Sequence, residues 1–234
     1  MTTSSWLFPE ADPYATTPSI HLHHKVSSRS RVEARYSTIN TMKKILAIAM
    51  AVACGNAMAQ TVKNFELVNV VNNQKISLST YPSCQGLVLI FTSNTCPYDE
   101  YYRKRIAELS QAYPDRVPVL LINAHTEPEE AAEKMAAKAR QLNITVPYLA
   151  DKEQTVMANL NVRKSPEAFL LKNENGKFTV VYRGAIDDNA QVEADVRHHY
   201  LRDAVDIMLT NQEIATPEVR PVGCNLKKAT NEKP

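Results

Sequence analysis

Cys96 is the residue of this sequence best placed to do chemistry, because a buried strand precedes it and a helical pattern follows it. Residues 86–91 form a continuous apolar run, which is typical of a strand covered on both faces. Pro97 suits the first position of a helix, where backbone N–H groups lack intrahelical partners. A sulfur among those groups is stabilised as a thiolate, the form that attacks disulfides and peroxides. The alternative is an unreactive cysteine that is merely small and buried.

Cys224 is the candidate partner of Cys96, since it lies in a C-terminal segment that otherwise has the pattern of a flexible tail. Such a cysteine can resolve a sulfenate or a mixed disulfide, or it can form a static disulfide. Cys84 is a poorer partner, because a strand of about six residues at about 3.3 Å each lies between it and Cys96. The resulting distance of about 20 Å exceeds the limit of about 7 Å between the α-carbons of a disulfide. We therefore interpret Cys84 as structural or incidental.

The sequence predicts no metal site and no cofactor. His125 follows the end of a predicted strand, but it has no acidic or histidine partner at the spacing of metal ligands, and we interpret it as a loop residue. The charges nearly balance, with 27 Lys and Arg against 25 Asp and Glu and no basic run. Nucleic acid is therefore not an expected partner.

Residues 42–59 have the layout of a secretory signal, with Lys43 and Lys44, an apolar stretch, and small residues up to Ala59. The apolar stretch is too short for a stable membrane span. We expect an exported protein, most simply a periplasmic one, in an oxidising compartment. Lipidation of Cys54 is the alternative. The predicted organisation is a non-native or disordered leader over 1–41, the signal over 42–59, one folded domain over 60–211 and a tail over 212–234.

Apolar periodicity predicts an α/β fold in which strands and helices alternate. Asn175 and Gly176 separate two strands, which is typical of an antiparallel hairpin. The polar residues at 187–189 are typical of a helix start, and they predict a final helix with an apolar face from Val192 to Leu209. The predicted elements, in chain order, are an N-terminal hairpin over 62–78, strand 86–91, a helix from Pro97 to Tyr113, strand 117–122, helix 127–142, short helix 153–160, strands 168–171 and 178–182, and the final helix.

Five stretches form a joint pattern, at residues 91–98 (Phe-Thr-Ser-Asn-Thr-Cys-Pro-Tyr), 146–151, 165–166, 182–188 and 223–227. The pattern resembles the redoxin or peroxiredoxin-like (AhpC/TSA-type) branch of the thioredoxin-like superfamily. The resemblance implies a thioredoxin-like fold, with a central mixed sheet flanked by helices and an N-terminal β-hairpin extension. It also implies a thiol-dependent oxidoreductase that acts on a protein or small-molecule disulfide or on a peroxide, and that an external thiol reductant restores.

The resemblance does not decide between reduction of a disulfide and reduction of a peroxide, because the residues around Ser93 match neither family pattern completely. Thioredoxins have a cysteine three residues before the second reactive cysteine, and Ser93 replaces it here. Peroxiredoxins have a hydroxyl residue, usually threonine, at that place, and Ser93 matches it in kind, but Leu89 replaces the proline found earlier. Ser93 is thus expected to hydrogen-bond the thiolate or an attacked peroxide, or to act only as a helix-start hydroxyl.

The resemblance also implies a cis bond between Ser165 and Pro166. The proline is then expected to lie against Cys96 and, with Pro97, to shape a groove that receives substrate backbone. Arg163 and Arg183 are candidates for positive charge near the thiolate, or are solvated surface residues. A further alternative keeps the groove without the chemistry, as a non-catalytic binding module with a thioredoxin fold.

Overall fold

The computed structural model describes residues 60–229. The predicted leader and secretory signal lie outside the described residues, and so do residues 230–234. The strands are β1 (Glu66–Asn69), β2 (Lys75–Ser77), β3 (Gly86–Phe91), β4 (Val119–Asn123), β5 (Tyr148–Ala150), β6 (Lys164–Ser165), β7 (Glu167–Glu174), β8 (Lys177–Gly184), β9 (Glu218–Val219) and β10 (Cys224–Asn225). The α-helices are α1 (Pro97–Ala112), α2 (Ala132–Gln141), α3 (Thr155–Leu160) and α4 (Tyr200–Leu209).

Eight strands form one mixed sheet in the order β2-β1-β5-β4-β3-β7-β8-β9. Strand β3 lies near its middle, parallel to β4 and antiparallel to β7. All six of its residues are buried, as the continuous apolar run predicts. The end of this strand is therefore a rigid position from which to present a side chain.

The two faces of the sheet are covered by separate groups of side chains. Leu87, Leu89 and Phe91 of β3 point into one apolar cluster, which α3 also joins. Val88 and Ile90 point into the other, which receives the apolar residues of α1, α2 and α4. Alternate residues of a strand face opposite sides, so β3 is central to both clusters. Among residues 60–229, no helix is long and apolar enough to cross a bilayer.

Both predicted hairpins are present. Strands β7 and β8 are joined at Asn175 and Gly176, which have φ values of 56° and 86°. Positive φ at both positions is what a two-residue turn of this kind requires. The N-terminal hairpin of β1 and β2 is an extension of the main sheet, because β1 pairs antiparallel with β5.

The final helix was predicted to begin near residue 189, and that boundary is wrong, since α4 begins at Tyr200. The polar residues that suggested a cap are used elsewhere. Asp187 accepts a hydrogen bond from the Tyr102 hydroxyl and pairs with Arg105 at 2.5 Å. Asn189 accepts from two backbone N–H groups that follow it, and this closes a turn instead of starting a helix.

The predictions for the helix over 127–142 and for the tail after residue 210 are each wrong in part. The helix predicted over 127–142 is divided at Ala131, whose ψ of 154° separates a 3-10 turn (Pro128–Glu130) from α2. The tail after residue 210 was predicted to be irregular apart from residues 222–226, where β10 pairs with β6, but β9 also attaches it to β8. Gly184 makes this approach possible, because a Cβ there would lie 1.6 Å from the Val219 carbonyl oxygen.

The buried pair of Arg105 and Asp187 yields a test of stability. Arg105→Met leaves the Asp187 carboxylate buried without its cation, so we expect the free energy of unfolding to fall by about 3–5 kcal/mol. Urea unfolding of the oxidised protein measures it. Lys104→Met is the matched control, since Lys104 forms its ion pairs at the exposed surface of the same helix and should matter little. Equal losses in the two variants would contradict the assignment.

Candidate active site

Cys96, the predicted nucleophile, lies at the start of a helix, as the sequence predicted. Cys96 is the N-cap of α1, with φ −74° and ψ 123°, and Pro97 is the first helical residue. The Ser93 hydroxyl accepts hydrogen bonds from the backbone N–H groups of Cys96 (3.1 Å) and Thr95 (3.0 Å). Ser93 therefore organises the start of α1. Pro97 is exposed beside the buried sulfur.

A disulfide joins Cys96 to Cys224, with 6.0 Å between their α-carbons and 128 residues of chain between them. Strand β10 carries Cys224 and pairs antiparallel with β6, so that Cys224 lies opposite Ser165. Cys84 is free and buried. The two cysteines singled out by the sequence are thus brought together, and Cys84, the other cysteine among residues 60–229, is kept apart.

Ser165 and Pro166 form one wall of the site, next to the Cys96 sulfur. Their peptide bond is cis, as the resemblance implies. The Cys96 sulfur lies 3.4 Å from the Ser165 carbonyl oxygen. Of the two candidate arginines, Arg183 pairs with Glu167 at 3.3 Å and with Glu218 at 3.6 Å, and Arg163 is exposed.

The C-terminal segment that carries Cys224 is docked, which corrects the expectation of a flexible tail. Leu226 is buried, and its N–H donates to the Arg163 carbonyl oxygen at 2.9 Å. The Gln154 side chain donates to the Lys227 carbonyl oxygen at 2.7 Å and accepts from the Ala229 N–H at 2.7 Å. Noncovalent contacts therefore support the disulfide from its C-terminal side.

The loop between β3 and α1 is held by a buried carboxylate that the sequence did not reveal. Glu130 accepts hydrogen bonds from the Ser93 hydroxyl (2.6 Å) and the Asn94 N–H (2.7 Å). Thr95 and Asn123 donate to the same carboxylate. Burial opposes ionisation, but these donors outweigh it and lower the pKa of Glu130 to about 2. Glu130 is thus an anion that fixes the approach to Cys96.

His125 also belongs to the site, although its sequence context suggested only a loop. The ring is buried, and its Nε2 lies 3.0 Å from the Ser165 hydroxyl oxygen. Burial lowers the pKa of His125, against the opposing effects of Glu130 and Glu127. One signal could have indicated it: His125 follows the carboxyl end of a parallel strand, and such ends gather functional residues.

Asp99 is a buried carboxyl in the first turn of α1, beside a cavity of 110 Å³ between α1 and α2. Neither carboxylate oxygen has a hydrogen-bond partner of good geometry among the described residues. Burial raises the pKa of Asp99 to about 7, and the nearby Thr92 and Ser93 oppose the shift only in part. At neutral pH and below, much of this group is uncharged. It then adds little repulsion to a thiolate at the helix start.

Comparisons with known proteins bear on the family and the fold of this chain. Residues 58–192 match the model of the AhpC/TSA family. A hypothetical protein from Sinorhizobium meliloti is 27% identical, with a TM-score of 0.67 over 76% of this chain and 97% of that one. An uncharacterised conserved protein from Geobacillus kaustophilus is 24% identical, with a TM-score of 0.66 over 73% and 92%. A thioredoxin-like protein in its oxidised form is 13% identical, with a TM-score of 0.50 over 67% and 96%.

These structural likenesses confirm the predicted thioredoxin-like fold with its central mixed sheet. No curated protein matches the sequence.

The Glu130 carboxylate yields a prediction of pH dependence. Its folded pKa of about 2 is below the ordinary 4.5, so its stabilisation is complete above pH 4.5 and is lost as the pH falls toward 2. Glu130→Gln should lower the free energy of unfolding at pH 7, and the difference from wild type should shrink by about 2–3 kcal/mol on acidification. Urea unfolding across pH measures it. The exposed neighbour supplies the control, since Glu129→Gln should leave the pH profile unchanged. Parallel profiles for Glu130→Gln and wild type would refute it.

Proposed function

This chain belongs to the AhpC/TSA family, and from that premise we propose that it is an exported thiol-disulfide oxidoreductase with Cys96 as nucleophile and Cys224 as resolving cysteine. The observation that carries the proposal is the disulfide between these two residues at the start of α1, against the Ser165 carbonyl. A static structural disulfide needs neither a helix start nor an adjoining groove wall. The disulfide, the helix start and the groove wall all meet at the Cys96 sulfur, and this supports a catalytic role for it.

In the proposed cycle, two electrons pass from the protein to the substrate. The Cys96 thiolate attacks a substrate disulfide, forms a mixed disulfide and releases one substrate thiolate. The Cys224 thiolate then attacks the Cys96 sulfur, forms the internal disulfide and releases the second substrate thiolate. An external thiol reductant returns both cysteines to thiols.

The geometry around Cys96 favours the thiolate that this cycle needs. Cys96 lies at the N-terminus of α1, at the positive end of the helix dipole. The Ser165 carbonyl oxygen lies against the sulfur and works in the opposite direction. Glu100 and Asp99 follow in the first turn, but the raised pKa of Asp99 limits its negative charge. We infer that the pKa of the Cys96 thiol lies below that of an ordinary cysteine.

Peroxide reduction is the second candidate, and Ser93 is the observation that favours it. Its hydroxyl stands three residues before Cys96 and accepts the Cys96 N–H. In that reaction the thiolate displaces an alcohol or water from the peroxide and becomes a sulfenic acid. Cys224 then condenses with it and releases water. The engagement of Arg183 by two carboxylates removes one cation that could have stabilised the attacked oxygen.

Substitution of single cysteines tests the proposed function. Cys96→Ser should abolish reduction of a model disulfide, whereas Cys224→Ser should still attack it and accumulate a mixed disulfide visible by mass spectrometry. Cys84→Ser is the control and should retain full activity, because Cys84 is free and buried away from the pair.

Two measurements on reduced Cys224→Ser separate the alternatives. A Cys96 that alkylates rapidly near neutral pH supports catalysis, and a slow thiol with an ordinary pKa favours the binding module. The ratio of rates with hydrogen peroxide and with a model disulfide then distinguishes peroxidase from oxidoreductase.

Export is part of the proposal and rests on residues 42–59, which lie outside the described residues. Expression from Met42, without the predicted non-native leader, in a bacterium with an intact secretion pathway should yield a periplasmic protein whose first residue is Gln60. Intact-mass analysis of the unreduced periplasmic fraction measures it. A substitution in the basic start, Lys43→Glu with Lys44→Glu, should retain the protein in the cytoplasm. An unprocessed, cytoplasmic wild-type chain would rule export out.

A further inference from the structure

The C-terminal segment is bound to the site as an extended peptide. Cys224 pairs with Ser165, and Asn225 pairs with Lys164. The next N–H, that of Leu226, continues the ladder by donating to the Arg163 carbonyl oxygen at 2.9 Å. Backbone pairing of this kind places a cysteine opposite the Cys96 sulfur without using the side chains of the strand.

Residue types are nevertheless restricted at the position before the bound cysteine. A Cβ at Gly223 would lie 2.2 Å from the Ser165 carbonyl oxygen and 3.0 Å from the Pro166 nitrogen. These are backbone atoms on the wall of the active site, so they cannot move aside cheaply. Lys164 additionally donates from Nζ to the Gly223 carbonyl oxygen at 3.2 Å. Only glycine fits at this position without a shift of the wall.

A second restriction applies two residues after the cysteine. The Leu226 side chain is 7% exposed and belongs to the apolar cluster that includes Phe91 and Val162. Asn225, between cysteine and leucine, is exposed. The groove therefore accepts a large aliphatic side chain at one position and tolerates any side chain at the position before it.

We propose that this groove, formed by the β6 edge, the Ser165–Pro166 wall and the Leu226 pocket, binds partner polypeptides with the sequence glycine, cysteine, any residue, large aliphatic residue. The inference rests on the proposed function and names its substrate class as disulfides within such segments. The tail is the resident occupant, and a partner strand replaces it when the protein is reduced. Small disulfides use neither the backbone ladder nor the apolar pocket.

This arrangement links resolution to product release. The Cys96 thiolate attacks the sulfur of the partner cysteine, and the second cysteine of the partner leaves as a thiolate. When the tail returns to β6, the Cys224 thiolate attacks the Cys96 sulfur and the first partner cysteine leaves as a thiolate. Because tail and partner need the same strand edge, the bond exchange and the displacement of the partner backbone occur together.

The test uses the reduced full chain with Cys224→Ser and peptides that carry cysteine as a mixed disulfide with one common chromophoric thiol. The parent peptide is Val-Gly-Cys-Asn-Leu-Lys, and its two variants replace glycine by alanine or leucine by aspartate. We expect the parent to release the chromophore roughly tenfold or more faster than either variant, since each variant meets one restriction of the groove. A symmetric small disulfide of the same chromophore is the control for the intrinsic reactivity of Cys96.

Equal rates for the three peptides, with normal reactivity toward the small disulfide, would overturn this inference and leave the proposed function intact. No reaction with any reagent would instead remove the proposed function. A second variant, Cys224→Ser with Leu226→Asp, weakens the docking of the tail. It should speed the parent peptide and preserve its advantage over the alanine peptide. If the double variant does not fold, the ratio of the rates for the parent and alanine peptides on Cys224→Ser alone still tests the inference.

Discussion

One buried anion holds the loop on which the whole site depends. The Glu130 carboxylate gathers donors from Ser93, Asn94 and Thr95, and so connects the end of β3 to the 3-10 turn before α2. A buried charge is costly unless its hydrogen bonds are complete, and here they come from the residues that must be positioned. Because the buried carboxylate is stable only while these donors surround it, it restrains the loop that precedes Cys96. The strand supplies a fixed starting point, and the carboxylate fixes three of the four residues between the strand and Cys96.

The sulfur is constrained from a second side by the C-terminal segment. Strand pairing with β6, the buried Leu226 and the two hydrogen bonds of Gln154 hold Cys224 opposite Cys96 independently of the covalent bond. Contacts that persist without the disulfide raise the effective concentration of the second thiol. They also cover the first, because the tail lies over the groove. Under the proposed function, fast resolution by Cys224 and restricted access to Cys96 thus have the same structural cause.

Local pattern was enough to predict alternating strands and helices and the helix start at Cys96, and the family resemblance added the thioredoxin-like fold, but neither indicated the network around the site. The apolar run of β3, the helix after Pro97 and the turn at Asn175 each follow from short-range periodicity and turn chemistry. The roles of Glu130 and His125 depend on contacts between residues far apart in sequence. Glu130 carries no local signal for them, and the signal of His125 is only its position after a strand end. The final helix was misplaced for the same reason, since Asp187 serves a distant arginine instead of a cap.

The separation of 128 residues between the paired cysteines bears on how the protein is made. As the chain emerges from the ribosome or a translocation channel, Cys84 and Cys96 are present long before Cys224. Until the last part of the chain arrives, Cys96 has no native partner and Cys84 is the nearest thiol available to it. Burial of Cys84 in the folded domain removes that competitor. Formation of the native disulfide therefore requires that synthesis has passed Cys224 and that the segment carrying Cys224 has docked.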